Sequence, residues 1–403
     1  MIFNTWTFAI FGLLTWAAYW SLPRPRLRAY LLVVAGIVFY SFSVPAYLAL
    51  IAVLGLLTFS VGQGLLRAEN ERHRSVLLII GVSLIALTLG FFKYLHFFAD
   101  TVNQIATRDI LPIPTLIVPL AISFFTFEFV HVLVDVKLYK IRSLDALDFA
   151  VFTLFFPTLV AGPIKRYQSF VPQLHELQIP DPERQLGNAY RIILGLFKKV
   201  VLADSLTLLT QPLLAPGIPY HRLDYWVAFF AYSSKIYFDF TGYSDIAIGI
   251  AGMLALKVPE NFDRPYRSAN IQIFWRRWHI SLSSWIRDYI FIPLGGSKRP
   301  PTIVVLNLFL AMTLAGLWHG AAWTFVIWGL WHGVGLAVQR IWATAAVPRL
   351  RILRDGGPFV TALSIATTYM FVTVGWVVFA APSMNVAAQV VRLMFSPVRE
   401  INK

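Results

Sequence analysis

The strongest constraint on this chain is the recurrence of apolar stretches that are long enough to cross a membrane. A transmembrane helix needs about 20 apolar residues, and such stretches recur from the first residues to the last fifty of the 403. Hydrophobic residues make up 58% of the chain and charged residues 13%, whereas a soluble domain is about half apolar and a quarter charged. The sequence therefore predicts a multi-pass membrane protein without room for a large soluble domain.

The predicted fold class is an all-α polytopic membrane protein with about nine to eleven transmembrane helices. The candidate spans are residues 2–22, 29–44, 46–66, 76–98, 113–136, 190–215, 224–256, 302–315, 321–339 and 359–381. The apolar stretch 149–160 is too short to span, which suggests a re-entrant or interfacial helix. We expect one integral-membrane domain over 1–403, with N-terminal spans in 1–142, a core in 143–301 and C-terminal spans in 302–403.

Basic residues are concentrated in alternate connectors between the first spans. They fill the first, third and fifth connectors, as Arg24, Arg26, Arg28, Arg67, Arg72, Arg74, Lys137, Lys140 and Arg142. By the positive-inside rule these connectors are cytoplasmic and the N-terminus lies outside. The first stretch lacks a basic leader and a clear cleavage site, so we expect a retained span. Cytoplasmic loops facing anionic lipid account for the net charge of +14, and no nucleic-acid partner is expected.

The absence of cysteine excludes disulfides, thiolate nucleophiles, Cys-ligated zinc and iron–sulfur clusters. No Gly-x-Ser-x-Gly elbow, Walker loop, dinucleotide fingerprint or His-Glu-x-x-His motif occurs, which removes the usual hydrolase, ATPase, dehydrogenase and zincin readings. Any catalysis must therefore use histidines, carboxylates, hydroxyls or backbone groups, and no metal site is predicted.

Two histidines lie in copies of Gly-Leu-Trp-His-Gly, at residues 316–320 and 329–333. Ionisable groups inside apolar stretches are costly and are therefore functional candidates. If one helix carries both motifs, His319 and His332 are about 20 Å apart, so they share no metal and form no close dyad. Imidazole can take a proton from a hydroxyl that attacks a carbonyl; a hydrogen-bonded packing role is the alternative for each.

A second candidate segment is Phe274-Trp275-Arg276-Arg277-Trp278-His279. A helix here places Trp275, Trp278 and Leu282 on one apolar stripe, which suits a membrane-interface helix. Two interpretations stay open for Arg276 and Arg277, which either grip phosphate or carboxylate groups or face lipid headgroups. Further polar residues of this segment are His279, Ser281, Ser283, Ser284, Arg287 and Asp288.

Acidic residues mark two further places. Asp239 and Asp245 are six residues apart and therefore do not stack on one helix face as a carboxylate pair; bonding to hydroxyls or arginines across a bundle is favoured. Glu128, His131 and Asp135 form a continuous polar stripe on one helix. A proton relay is possible there, but an interhelical hydrogen-bond strip is favoured.

Several segments together resemble the membrane-bound O-acyltransferase family, in particular its bacterial branch of alginate O-acetyltransferases and D-alanine exporters of teichoic acid. They are residues 118–124, 156–157, 161–164, 195–200, 237–240, 259–262, 274–283, 287–289 and 293–296. By this resemblance His319 matches the family's invariant histidine and His279 its second active-site position, which leaves His332 as a neighbour. The resemblance also implies a ring of helices around a thinned centre, where both membrane faces reach the histidine.

Nine further residues are assigned to the substrate or donor environment. They are Trp318, Trp278, Arg276, Arg277, Arg287, Asp288, Asp239, Asp245 and Tyr243. The sequence of residues 239–245 and 318–323 resembles the alginate type more than the D-alanine type, which favours acetyl as the transferred group.

The activity implied by the resemblance is O-acyl transfer from a cytoplasmic thioester, such as acetyl-CoA or an acyl carrier protein, to a cell-surface polymer. It implies a multi-pass protein of the bacterial cytoplasmic (inner) membrane, in contact with lipid and without a bound cofactor. Expected partners are a periplasmic SGNH-type acetyltransferase or a polysaccharide export complex. Alginate-type members commonly continue through further helices, so docking by that region is not carried over to this chain.

Three alternatives stay open. The first is transfer of D-alanyl or another acyl group to an envelope polymer. The second is a transporter or flippase of a lipid-linked intermediate, in which intramembrane acids and histidines form the route, although the hydropathy pattern has no inverted repeat. The third is a structural subunit of an export complex.

Overall fold

The computed structural model describes residues 3–42, 45–113, 116–176, 179, 181–216, 220–345 and 357–396. The α-helices in these ranges are α1 (Trp6–Ser21), α2 (Pro25–Ser41), α3 (Tyr47–Arg67), α4 (Glu71–Leu89), α5 (Leu95–Ala106), α6 (Ile122–Lys137), α7 (Ala146–Leu154), α8 (Tyr167–Phe170), α9 (Pro182–Leu196), α10 (Asp204–Leu206), α11 (Gln211–Leu214), α12 (Arg222–Met253), α13 (Ile271–Arg277), α14 (Ile280–Ile286), α15 (Pro301–His319), α16 (Trp323–Ala345), α17 (Pro358–Ala380) and α18 (Met384–Phe395). Short 3₁₀ turns are Val171–Leu174, Leu208–Thr210, Pro265–Arg267 and Gly296–Lys298, and π-helical turns are Gly90–Tyr94, Phe197–Ala203 and Arg287–Phe291. The same ranges contain no strand, so the predicted all-α class is confirmed.

Four described helical segments are long and apolar enough to cross a membrane. They are Tyr47–Arg67, Glu71–Ala106, Pro301–His319 and Pro358–Ala380. The second joins α4 and α5 through a π-helical turn and measures about 54 Å at 1.5 Å per residue, which makes it longer than the predicted span 76–98. The multi-pass prediction is confirmed, while the number of nine to eleven spans stays a prediction.

The fifth predicted span, residues 113–136, is too long at its start. Residues 116–119 are not helical, Ala121 adopts a left-handed conformation with a φ of 61°, and α6 begins only at Ile122. Pro119 lacks a backbone N–H and disfavours a helical residue before it, and its carbonyl accepts a hydrogen bond from Ile122 at 3.3 Å. The prediction was wrong for the beginning of this span because the apolar run contains prolines.

Side chains and prolines explain where several helices begin. Asn70, Asp145 and Asn270 accept hydrogen bonds of 2.8 to 3.1 Å from N–H groups in the first turns of α4, α7 and α13, which satisfies donors that the helix cannot pair. Prolines start α2, α15 and α17, where their fixed φ suits a helix. Because α7 ends after nine residues, or about 14 Å, the stretch 149–160 contains no crossing helix, as predicted.

Two compact units make up the chain. The first comprises Met1–Leu196 and Tyr243–Glu260, and the second comprises Phe197–Gly242 and Asn261–Lys403. The core of the first unit is rich in aromatic rings. Among them, Phe8 and Phe39 each contact both Phe3 and Phe156 and also contact each other, with ring centroids 4.7 to 6.4 Å apart. The predicted single membrane domain over residues 1–403 stays a prediction.

Buried polar groups connect segments of the first unit. Glu128 on α6 pairs with Lys165, and both residues are buried. On the same helix His131 Nδ1 lies 3.2 Å from Asp135 Oδ2, and His131 Nε2 accepts a hydrogen bond of 2.9 Å from the N–H of Tyr167. The polar stripe of α6 thus bonds to a neighbouring segment, which is the interpretation that the sequence favoured.

Candidate active site

His319 lies at the end of a helix, in the second unit. α15 ends at His319 and α16 begins at Trp323, with Gly320 extended between them (φ −169°, ψ 157°). These two helices agree with the separate spans predicted at 302–315 and 321–339. The condition that one helix carries both motifs does not hold, because a short turn folds the second Gly-Leu-Trp-His-Gly copy back onto the first. His332 is consequently not about 20 Å further along one axis. Both histidines instead contact the ring of Trp328, with centroid distances of 5.3 Å for His319 and 4.9 Å for His332.

Glycines of the duplicated motif set the close contact between α15 and α16. A Cβ on Gly316 would lie 2.1 Å from the carbonyl oxygen of Phe325, and a Cβ on Gly329 would lie 2.4 Å from the carbonyl oxygen of Met312. The two glycines also face each other, since a Cβ on Gly316 would lie 3.3 Å from the Cα of Gly329. The duplication is thus explained by helix packing, where only the absence of a side chain permits this approach.

Gly329→Ala is expected to destabilise the protein by about 1–3 kcal/mol, because a methyl group at this contact forces the two helices apart. The measurement is the thermal unfolding midpoint of the purified protein in detergent. The matched control is Gly187→Ala on α9, where an added Cβ meets no atom within 4 Å; it should be neutral or stabilising, because alanine favours helix by up to about 1 kcal/mol. Equal midpoints for the two variants would contradict the close contact.

An aromatic wall surrounds the half-buried side chain of His319. Its ring centroid lies 4.8 Å from that of Trp318, 5.0 Å from that of Phe379 and 5.3 Å from that of Trp328. Such an apolar environment strengthens the hydrogen bonds that the imidazole makes. It restrains the ring at a fixed place, which a general base requires.

His279 occupies the break between α13 and α14 in a left-handed backbone conformation, with a φ of 44°. This conformation is unfavourable for a residue with a side chain and persists where the surroundings impose it. Here Asn261 holds the turn: its carbonyl accepts a hydrogen bond of 2.9 Å from the N–H of Ile280, and its side-chain oxygen accepts one of 2.6 Å from the hydroxyl of Ser281. The turn that presents His279 is therefore fixed by a distant segment of the chain.

The same break changes the position of Trp278. The predicted interfacial helix with Trp275, Trp278 and Leu282 on one stripe is wrong, because α13 ends before Trp278. A backbone bridge joins Trp278 to Phe262 instead, and its ring centroid lies 5.0 Å from that of Trp376. Pairing with the segment around Phe262 replaces the local helix, so Trp278 belongs to the aromatic core of the second unit.

Trp318 lies between the two predicted catalytic histidines. His279 is 1% exposed, and its ring centroid lies 5.6 Å from that of Trp318 and 4.6 Å from that of Phe240. His279 does not belong to any of the described helices that are long enough to cross a membrane. Burial, and to a lesser extent the nearby His319, hold the pKa of His279 well below its ordinary value. Its imidazole is therefore neutral, and Nε2 has no hydrogen-bond partner among the described residues. That nitrogen is available to a ligand.

A cavity of about 550 Å³ in the second unit is lined by Arg276, Arg287 and Arg340. None of the described residues that line it is acidic, so it favours an anion. Its wall on α15 is an apolar face made of Val304, Leu308, Ala311, Met312 and Ala315. Ala315 lies one turn before His319, so the face that lines the cavity continues to that histidine.

Other predicted residues are held in ion pairs of the second unit. Arg277 Nε lies 3.8 Å from Asp263 Oδ2, and Asp288 Oδ1 lies 2.8 Å from Arg287 Nε. Asp239 Oδ1 lies 2.7 Å from Nζ of Lys199, which belongs to the π-helical turn Phe197–Ala203. These contacts support a structural role for Arg277 and Asp239, whereas Arg287 also faces the cavity.

Tyr243 and Asp245 belong to the first unit. Asp245 accepts a hydrogen bond of 2.9 Å from Arg191, which also binds Glu260. Tyr243 stacks on Phe3 with a centroid distance of 4.8 Å. Asp239 and Asp245 thus have separate cationic partners, in agreement with the expectation that they form no carboxylate pair.

The sequence analysis missed Asn261, Phe240, Phe379 and Arg340 as parts of the site. Asn261 carried no local signal, because its partner Ser281 is twenty positions away. Phe240 and Phe379 carried no sequence signal, because aromatic residues recur throughout the chain. Within the described ranges no group of three or more histidines and acids that could hold a metal ion occurs.

Comparisons with known proteins show which family the sequence matches. The family model of the membrane-bound O-acyltransferases matches residues 34–356. The chain is 37% identical over 403 residues to a probable alginate O-acetylase of Pseudomonas aeruginosa, which covers 98% of this chain and 75% of that protein. It is 35% identical over 395 residues to a peptidoglycan O-acetyltransferase of Helicobacter pylori, and the match covers 90% of this chain and 73% of that protein. A teichoic acid D-alanyltransferase of Streptococcus thermophilus is 31% identical over 238 residues, and the match covers 55% of this chain and 57% of that protein.

Proposed function

Because this chain belongs to the membrane-bound O-acyltransferase family and is therefore a membrane acyltransferase, we propose that it moves an acetyl group from a thioester donor to a hydroxyl of an envelope polysaccharide. The observation that carries the proposal is the placement of His279 and His319 on Trp318, with an arginine-lined cavity that follows α15 as far as Ala315, one turn before His319. The alginate and peptidoglycan acetylating activities named for two relatives support acetyl and a polysaccharide acceptor.

In the proposed reaction His319 acts as general base. Its imidazole takes the proton of the acceptor hydroxyl while the hydroxyl oxygen attacks the thioester carbonyl carbon. The tetrahedral intermediate carries an oxyanion, which nearby hydrogen-bond donors stabilise. The carbon–sulfur bond then breaks, and the thiolate receives the proton from the imidazolium of His319. One ester forms, one thioester is consumed and one thiol is released, so protons and charge balance.

His279 has a separate role in this scheme. Its ring is neutral, buried and carries an Nε2 without a partner in the described structure, and it shares Trp318 with His319. A neutral imidazole can hydrogen-bond a hydroxyl or a carbonyl oxygen, depending on its tautomer. We assign it the orientation of the acceptor or the donor, while His319 transfers the proton.

The arginines of the cavity are proposed to bind the phosphates of acetyl-CoA. Arg276→Gln together with Arg340→Gln should raise KM for acetyl-CoA about 10²–10⁴-fold, since each of the two charge-assisted hydrogen bonds contributes about 1.5–3 kcal/mol. KM for S-acetyl-pantetheine, which lacks the diphosphate, should stay unchanged. Arg277→Gln is the matched control, because Arg277 lies beside Asp263 and does not line the cavity. An equal rise for both donors would exclude phosphate binding by these side chains.

The topology that fits this proposal follows from the basic connectors. With the N-terminus outside, the odd connectors face the cytoplasm, where thioester donors occur. Since the named relatives are bacterial proteins, we place the chain in the bacterial inner membrane. Transfer then ends on the outer face, either on the polysaccharide itself or on a periplasmic SGNH-type partner of an export complex.

The direct test is donor consumption by the purified protein in lipid vesicles. The chain contains no cysteine, so a thiol reagent reports only the thiol released from acetyl-CoA. We expect thiol release that depends on an added glycan acceptor, and mass spectrometry should find acetyl esters on surface glycans only in cells that contain the protein. Movement of a lipid-linked sugar without thiol release would favour a flippase instead.

D-alanyl transfer is the second candidate activity. It is favoured by the 31% identity to a D-alanyltransferase over 238 residues. A carrier protein with a D-alanyl thioester, added in place of acetyl-CoA, distinguishes the two activities. Faster acceptor-dependent thiol release from the D-alanyl carrier than from acetyl-CoA would replace acetyl by D-alanyl in the proposal.

A further inference from the structure

Four buried polar atoms without partners lie on three residues beside His319. Trp275 Nε1, Trp328 Nε1 and both ring nitrogens of His332 make no hydrogen bond within the described part of the chain. Trp328 and His332 are 0% exposed, and the ring centroids of the three residues lie 4.9 to 5.8 Å apart. We call these residues the indole–imidazole cluster. An unpaired buried polar atom is costly, so their concentration in one place indicates a ligand rather than chance.

The cluster lies between the arginine-lined cavity and His319. Trp328, His332, Leu336 and Arg340 follow one another every four residues and thus form one ridge of α16. The last two residues of this row, Leu336 and Arg340, line the cavity. At its other end the ring of Trp328 lies 5.3 Å from that of His319. From Arg340 to Trp328 the helix rises by about 18 Å.

Trp275 connects the cluster to the cavity from a second side. It lines the cavity, and its ring packs edge-on against those of Trp328 and His332, at 5.8 and 5.0 Å. Trp275 is therefore the member of the cluster that borders a space that a ligand can enter, and Trp328 and His332 pack directly against its ring. Because the unpaired atoms of the cluster comprise two N–H donors and an imidazole that both donates and accepts, they match a ligand with carbonyl and N–H groups.

We propose that the indole–imidazole cluster binds the amide groups of the donor's thiol arm, with His332 as a donor-positioning residue. The proposal rests on the proposed function, in which the donor is acetyl-CoA or the same arm on a carrier protein. That arm carries two amides between its phosphate and its sulfur and has about 13 bonds, so it extends roughly 16 Å at about 1.2 Å per bond. This length matches the ridge from Arg340 to Trp328.

Binding of the amides explains why the cluster is polar but unpaired. With its phosphate on the arginines and its amides on Trp275, Trp328 and His332, the arm delivers the thioester carbon to His319. The buried polar atoms obtain their partners only when the donor is bound. The site thereby selects an amide-bearing thioester over a simple one, because a simple thioester leaves these groups unpaired.

The experiment compares two donors that both lack phosphate. S-acetyl-pantetheine carries the amides, whereas S-acetyl-mercaptoethanol does not. His332→Phe and Trp275→Phe keep an aromatic ring and remove the unpaired nitrogens. Each should raise KM for S-acetyl-pantetheine about tenfold, as expected for one lost hydrogen bond, and change KM for S-acetyl-mercaptoethanol less than about twofold. The matched control is Trp331→Phe, since the indole N–H of Trp331 already donates to the carbonyl of Phe371 at 3.0 Å.

Two further measurements separate this inference from the proposed function. Pantetheine itself, which cannot react, should raise the unfolding midpoint of the wild type but not of His332→Phe. Without ligand, His332→Phe should unfold at the wild-type temperature or above it, because an unpaired buried imidazole is removed. The inference is overturned if His332→Phe slows both donors equally, or if pantetheine stabilises wild type and variant alike. Acetyl transfer by the wild type would stand in either case.

Discussion

His319→Ala is expected to lower the rate of acetyl transfer by about 10²–10⁴-fold, the range that a positioned general base contributes. The side chain is confined by the rings of Trp318, Trp328 and Phe379, so no other imidazole of the hairpin can move into its place. His332 is nearest along the hairpin, but it lies across Trp328. The loss should therefore fall on kcat, with little change in the KM of the donor.

The measurement is thiol release from acetyl-CoA by variants that have been shown to insert and to elute as folded protein. His73→Ala is the matched control, since His73 is exposed on α4 and should leave the rate unchanged. A variant without His319 that acetylates at the wild-type rate would remove this residue from the mechanism. His279→Ala should instead raise KM for the acceptor or the donor, because it is assigned to orientation.

Breaking the buried pair of Glu128 and Lys165 is expected to have the largest effect on stability. Glu128→Met or Lys165→Met alone should lower the free energy of unfolding by about 3–5 kcal/mol, because each leaves an uncompensated charge in a buried place. Lys165 is 1% exposed, and its ammonium lies 4.6 Å from the ring centroid of Phe152. No water replaces the lost partner at such a position without disturbing the aromatic core.

The double variant with both substitutions tests this reason directly. It should recover most of the lost stability, since two methionines of similar volume carry no buried charge. The measurement is unfolding in detergent by chemical titration, with all variants compared under one condition. Arg184→Met is the control for an exposed pair: Arg184 is 77% exposed beside Asp181, and such pairs contribute at most about 1 kcal/mol. A double variant less stable than both single variants would contradict the argument.

The two predictions separate chemistry from architecture. Removal of the half-buried His319 is expected to act on the reaction, whereas Glu128 and Lys165 are buried in the first unit and their removal acts on the fold. If a Lys165 variant lost activity, its rate per folded molecule should be unchanged. Activity measurements therefore need to be normalised to the folded fraction for every variant of the first unit.

The membrane class and most helix positions could be predicted from the sequence, whereas the roles of His319 and His279 stay predictions. Apolar runs identify helices because the bilayer forces the backbone to bond within each segment. Caps such as Asn70 and Asn270 act over three residues or fewer, so the beginnings of these helices can also be predicted from the local sequence. Ionisable groups are costly in apolar stretches, which made both histidines candidates among several, and the family resemblance then selected them.

Only the tertiary structure decided how those residues meet. The turn at Gly320 folds His332 back towards Trp328, and the distant Asn261 breaks a helix that the local pattern favours at His279. The arginine of the cavity at position 340 and the unpaired atoms of the indole–imidazole cluster were likewise invisible, because burial and partners depend on which segments pack together. Local periodicity determines where helices form, whereas contacts between segments far apart in the chain determine which side chains form a site.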